Sequence, residues 1–159
     1  MFEVFLLLGG NIGDRLLYLQ TAVDQLEQKV GKLIKKSSVY ETQAWGKTTE
    51  PDYLNQVILL ETNLAPRDVL KAILEIELAL GRKREEKWGS RTMDIDILFY
   101  DNDIINEAGL VIPHSELHKR RFTLEPLSEI APEFVHPLLN KSISQLKNNL
   151  EDCLVVKKL

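Results

Sequence analysis

Thr92-Met93-Asp94-Ile95-Asp96-Ile97-Leu98-Phe99-Tyr100 alternates carboxylates with large apolar side chains, the period of two that marks a half-buried strand. As a strand it sends Met93, Ile95, Ile97 and Phe99 into a core and leaves Asp94 and Asp96 together on the other face. Their Cα atoms then lie roughly 7 Å apart by strand rise. Two carboxylates so placed repel each other, and the simplest compensation is a divalent cation or two. An isolated Asp-x-Asp more often marks a charged strand edge. The residues just before this one argue instead for a cavity wall.

Between Arg82 and Arg91 stand five cations (Arg82, Lys83, Arg84, Lys87, Arg91) against two anions, Glu85 and Glu86, a local balance of +3. The whole chain runs the other way, with a formal charge of -4. A charge run alone is usually a solvated loop. Joined to two aspartates it offers what metal-bound polyphosphate needs: arginines to fork onto phosphate oxygens, lysine as a mobile point charge, and carboxylates for the ion.

Working outward, residues 2 to 8 are an apolar run read as a buried first strand, without the positive leader of a signal peptide or the length of a membrane span. Gly9-Gly10-Asn11-Ile12-Gly13 turns the chain, and Asp14 caps a helix. Leu16, Leu19, Val23, Leu26 and Val30 recur on one face of that helix, with Gly31 as its stop. Residues 33 to 41 and Tyr53 to Glu61 are expected to be paired strands. Pro66 and Asp68 open a second helix that carries Val69, Ile73, Ile76 and Leu80 and ends at Gly81. Strand, helix, strand, strand, helix, strand is the order of a ferredoxin-like α+β fold, an antiparallel sheet with helices packed on it. Beyond it, Ile104 and Ile105 add a short strand, residues 113 to 137 read as loops and short helices, and Ser142 to Leu150 as a last helix in a C-terminal extension.

With 159 residues, 44% hydrophobic and 28% charged, one folded domain over residues 1–159 is expected. The acidic balance gives no reason to invoke nucleic acid or an anionic membrane. The one cysteine, Cys153, forms no internal disulfide, which fits a reducing cytoplasm. Gly46-Lys47-Thr48 ends like a phosphate-binding P-loop, but Glu41 stands where the pattern needs glycine. Gly9 to Gly13 lacks the spacing of a dinucleotide-binding turn. Trp45 and Trp88 fall beside glycines in expected loops, and Tyr53 and Phe122 are candidates for an aromatic slot. Asn55 shares the face of Tyr53 and offers both a donor and an acceptor to a ring edge. His114, after Pro113, is a candidate phosphate ligand or loop anchor, and His118-Lys119-Arg120-Arg121 is a second basic cluster.

Taken together, these stretches closely resemble the 6-hydroxymethyl-7,8-dihydropterin pyrophosphokinases of folate biosynthesis. The resemblance runs nearly end to end: Leu8-Gly9-Gly10-Asn11 with Gly13-Asp14, Ser38-Val39-Tyr40-Glu41-Thr42, Trp45-Gly46, Pro51-Asp52-Tyr53-Leu54-Asn55, Glu77 before Leu80-Gly81-Arg82, residues 87 to 98, Ile112-Pro113-His114, and Arg120 with Phe122 before Glu125-Pro126-Leu127. It implies transfer of the pyrophosphoryl group of ATP to a pterin hydroxymethyl group by a cytoplasmic, monomeric enzyme that uses two magnesium ions. By the same resemblance, Asp94 and Asp96 hold the metals and act in catalysis with Arg82 and Arg91. Glu77, Arg82, Arg84, Lys87, Trp88, Arg91, Ile97, His114 and Arg120 contact ATP. Thr42, Gln43, Ala44, Trp45, Tyr53, Asn55, Trp88 and Phe122 take the pterin. Two other classes compete for the same features: a nucleotidyltransferase or cyclase with paired aspartates on a similar sheet, and an RNA-binding module using the basic loop and aromatics.

Overall fold

The computed structural model describes residues 1–42, 52–81, 93–152 and 154–159. Strand β1 (Phe2–Gly10) lies between β4 (Tyr53–Thr62) and β5 (Asp94–Tyr100), antiparallel to both. Beyond β4 come β2 (Gly31–Lys36) and β3 (Tyr40–Thr42), which pair with successive halves of it. The order β5, β1, β4, then β2 with β3, is that of the expected ferredoxin-like core.

Helices cover both faces. Alternate residues of β1 (Val4, Leu6, Leu8) and β4 (Leu54, Ile58, Leu60) meet Leu19, Ala22, Val23 and Leu26 of α1 (Arg15–Lys29) and Val69, Ala72, Ile73 and Ile76 of α2 (Pro66–Ala79). The intervening residues, Phe5, Leu7, Val57 and Leu59, meet Leu124 and Leu127 of α3 (Arg121–Ile130) and Ile143 and Leu146 of α4 (Ile143–Asn148). With both faces covered, the central strands read as continuous apolar runs. Each fully buried leucine or isoleucine contributes about 1.5–3 kcal/mol. Among the described residues no helix is long and apolar enough to cross a membrane.

Local signals act largely as expected. Asp14 caps α1 by accepting from the Leu17 amide at 3.2 Å, Pro66 opens α2, and Gly81 follows it at φ +90°. Four expectations are corrected. Leu16 is exposed, because it sits in the first turn of α1 before the helix reaches the sheet. Phe99 packs in the second core, not the one shared by Met93, Ile95 and Ile97. Phe5 faces Phe99 and Leu6 faces Ile97, so Leu98 is an extra residue in β5, a bulge that exchanges faces beyond it. The expected strand over 33 to 41 is two strands. Between them the Ser37 amide donates to Val57 O at 2.8 Å and the Ser37 hydroxyl accepts from Val57 N at 3.0 Å. Ile105 begins not a lone strand but β6 (Ile105–Glu107), which pairs with β7 (Leu110–Ile112).

The sequence did not announce β8 (Val156–Lys158), which pairs with the outer edge of β3. Gly31 is a further correction. It is the first residue of β2, and a Cβ there would fall 1.9 Å from the Glu61 carbonyl oxygen, so the need is close strand approach rather than helix termination. Gly31→Ala must therefore push β2 off β4. The expected outcome is a loss of about 1–3 kcal/mol in urea unfolding, the usual range for overpacking. An unchanged midpoint would show that the strands separate freely there.

Candidate active site

One row of residues runs across four strands on the face covered by α3. Tyr40 of β3 is opposite Asn55 of β4, Asn55 opposite Gly9 of β1, and Gly9 opposite Asp94 of β5. Residues directly opposite in neighbouring strands share a face. Asp96 lies one step along, opposite Leu7, and Thr42 and Tyr53 form a pair one step the other way. The sheet thus brings Thr42, Tyr53, Asn55, Asp94 and Asp96 to one surface.

At the middle of the row a side chain is missing. A Cβ on Gly9 would stand 2.4 Å from Asn55 Nδ2. The glycine lets the Asn55 amide lean over β1 toward the carboxylate strand. Asn55 is only 6% exposed and Thr42 only 4%. The Thr42 hydroxyl oxygen is buried with no hydrogen-bond partner among the described residues, an unfilled demand in the wall where the acceptor is expected.

Phe122 enters from α3 and packs against the second core, with the Arg120 guanidinium 5.5 Å from its ring centroid. His114 follows a cis Ile112–Pro113 bond. Its amide donates to Leu98 O at 3.1 Å and its Nδ1 accepts from the Glu116 amide at 3.1 Å. Burial pushes its pKa below the ordinary imidazole value; Asp96 opposes that shift and Arg120 adds to it. His114 is thus held toward the neutral form beside the carboxylates of Asp96 and Glu116 and the Arg120 guanidinium.

Glu77 has a structural task. Only 3% exposed, it reaches from α2 and accepts from the Ile95 amide at 2.8 Å, fixing the outer edge of β5 between the two aspartates. Beside that edge is a cavity of about 270 Å³, walled by Leu70, Ile95, Ile97, Leu110 and Val111, with Asp96 and His114 at its polar side. A slot with aliphatic walls and polar groups at one side suits a flat heterocycle joined to a charged tail.

Sequence reasoning missed Arg15. Its Nη1 donates to Glu41 Oε2 at 2.9 Å and to Asp52 O at 2.8 Å, so one guanidinium ties the residues on either side of segment 43–51. No local pattern could have paired position 15 with 41 and 52. Gln43, Ala44, Trp45, Arg82, Arg84, Lys87, Trp88 and Arg91 lie outside the described residues.

The donor set fits magnesium on chemical grounds. Asp94 and Asp96 are half-buried on one face, alternating with buried Ile95 and Ile97. Among the described residues no group of three or more metal-ligating side chains forms a closed cage. Magnesium prefers one or two carboxylates with water and substrate phosphates completing its shell, and two aspartates beside an open cavity meet that need.

The arrangement has close counterparts. A model of the 7,8-dihydro-6-hydroxymethylpterin-pyrophosphokinase family matches residues 5–132. A 2-amino-4-hydroxy-6-hydroxymethyldihydropteridine pyrophosphokinase from Aquifex aeolicus is 40% identical over 160 residues, 99% of each chain. One from Synechocystis is 43% identical over 150 residues, 94% of this chain and 76% of that one. Among solved structures, Plasmodium falciparum HPPK-DHPS with pteroate matches 92% of this chain at TM-score 0.78 and 20% identity, a likeness of fold. The chain spans 44% of that longer protein.

Proposed function

The chain belongs to the 7,8-dihydro-6-hydroxymethylpterin-pyrophosphokinase family, and we infer that its sheet face transfers the pyrophosphoryl group of ATP to 6-hydroxymethyl-7,8-dihydropterin in folate synthesis, releasing AMP. The observation that carries the assignment of parts is the row Asn55, Gly9, Asp94. It sets a ring-reading amide and a carboxylate on either side of a gap with no side chain. The acceptor lies on the Asn55 side, between Tyr53 and Phe122, with Thr42 at its edge. The base of ATP occupies the apolar cavity beside β5, against Ile97 and His114. Its phosphates then cross Asp94 and Asp96 toward the acceptor.

In the reaction the hydroxymethyl oxygen forms a bond to the β-phosphorus and gives up its proton to solvent, the bond from that phosphorus to the α,β-bridging oxygen breaks, and AMP departs with the electron pair. Little covalent work is left for the protein, so alignment and charge stabilisation supply the rate. Asn55 and the aromatic pair fix the angle of attack. Arg120, and Arg82 and Arg91 by family resemblance, offset charge on the transferred group and on AMP. Magnesium, held by Asp94 and Asp96, supplies further positive charge at the phosphates when bound. The chain works as one domain.

Each aspartate contributes a ligand rather than core packing. Asp94→Ala and Asp96→Ala are expected to keep a wild-type thermal transition while AMP formation falls by about a hundredfold or more, the scale of losing one stabiliser of developing charge. Wild-type AMP formation in either variant would remove it from the metal site. Phe122→Ala should weaken pterin binding about tenfold while ATP-analogue binding changes less than about twofold, as expected for a buried aromatic contact to one ligand only. Separate calorimetric titrations check this, and equal losses would contradict stacking. Pterin-dependent release of AMP by the wild-type chain tests the activity itself. Release of pyrophosphate instead would make the chain a nucleotidyltransferase.

A further inference from the structure

The family match ends at residue 132, yet Asp152 and residues 156–159 are tied to both walls of the acceptor slot. On one wall, β8 pairs antiparallel with β3, setting Val156 opposite Thr42, Lys157 opposite Glu41 and Lys158 opposite Tyr40. The Leu159 amide donates to Val39 O at 2.9 Å. Hydrogen-bonded pairs alternate along an antiparallel ladder, so the Glu41–Lys157 pair is the next bonded one. On the other wall, Asp152 Oδ1 accepts from Arg121 Nε at 2.9 Å, directly before Phe122 in α3. A third tie joins the walls to each other. Glu129 of α3 accepts from the Tyr40 hydroxyl at 2.6 Å and from the Ser38 amide and hydroxyl at 3.0 Å, and Lys158 Nζ stands 4.0 Å from it.

We propose that Asp152 and residues 156–159 form a positioning strap for the pterin acceptor, with the Lys157 backbone fixing β3 beneath Thr42 and the Asp152 carboxylate fixing Arg121 beside Phe122. β3 is three residues long, and pairing on one side alone holds so short a strand weakly. With β8 it is held on both sides. The ATP cavity lies at β5, the opposite edge of the sheet, and is lined by no residue of the strap. A strap acting on the acceptor walls therefore changes pterin binding and leaves ATP alone. Loosening a tail that merely shields a sheet edge lowers stability without choosing between substrates.

The inference rests on the proposed placement of the acceptor, and steady-state kinetics on full-length variants separates the two. Lys157→Pro removes the ladder donor, whereas Lys157→Ala keeps it. Lys157→Pro is expected to raise KM for the pterin about fivefold or more, with KM for ATP and kcat within about twofold of wild type and Lys157→Ala unchanged. Asp152→Asn, at an exposed pair that leaves the sheet intact, should raise pterin KM about threefold, with Asp152→Glu restoring it. Should Lys157→Pro fail to fold, Asp152→Asn and its rescue decide. Wild-type pterin KM in the folded variants, or equal rises in both KM values, would overturn the strap. A wild-type chain without pterin-dependent AMP formation would overturn the activity on which it rests.

Discussion

The site depends on a side chain that is absent. β1 is the strand between the proposed acceptor half of the sheet and the proposed metal half, and at Gly9 it has no side chain to place between Asn55 and Asp94. Any other residue would put carbon into the Asn55 amide. The consequence is a low crossing over β1 backbone, where the Asn55 amide lies close above the strand between the two banks of the proposed site. The other residues of that site build those banks or hold them still. Phe5, Leu7, Val57 and Leu59 anchor the same face farther along.

Charge explains the division of the two banks. Asp94 and Asp96 cannot be paired by core residues, because Ile95 and Ile97 take the opposite face. In the proposed reading they face cations and a polyanion from outside, and the stiff strand that carries them is pinned at its outer edge by buried Glu77. On the proposed acceptor bank the polar groups are neutral and buried, Asn55 and the Thr42 hydroxyl, which has no hydrogen-bond partner among the described residues, as suits a ring read by hydrogen bonds. His114, kept toward neutrality by burial, stands beside Asp96 without adding a full positive charge that would compete for the carboxylate.

Much of this was legible in the sequence because it is local. Alternation in residues 92 to 97 gave the faces of the two aspartates, and Asp14, Pro66 and Gly81 marked helix ends through their own backbone chemistry. What failed was set by partners distant in sequence. The bulge at Leu98 exists because Phe5 and Leu6 of β1 demand Phe99 and Ile97 opposite them. Gly31 serves the Glu61 carbonyl, thirty residues on, so its neighbours in sequence pointed to the wrong cause. The Arg15 clamp, the Glu129 tie and β8 left no periodic trace, since each is a single long-range contact or a three-residue strand.

The most direct test is to crowd the space above Gly9. Gly9→Ala adds one methyl group between the banks, with the Asn55 amide and the Leu54 carbonyl oxygen as its nearest neighbours. With the urea midpoint and ATP-analogue affinity measured alongside, pterin titration into this variant is expected to show affinity reduced by about tenfold or more, because a displaced Asn55 leaves hydrogen bonds unmade. A folded Gly9→Ala chain that binds the pterin as tightly as wild type would contradict the account at its centre.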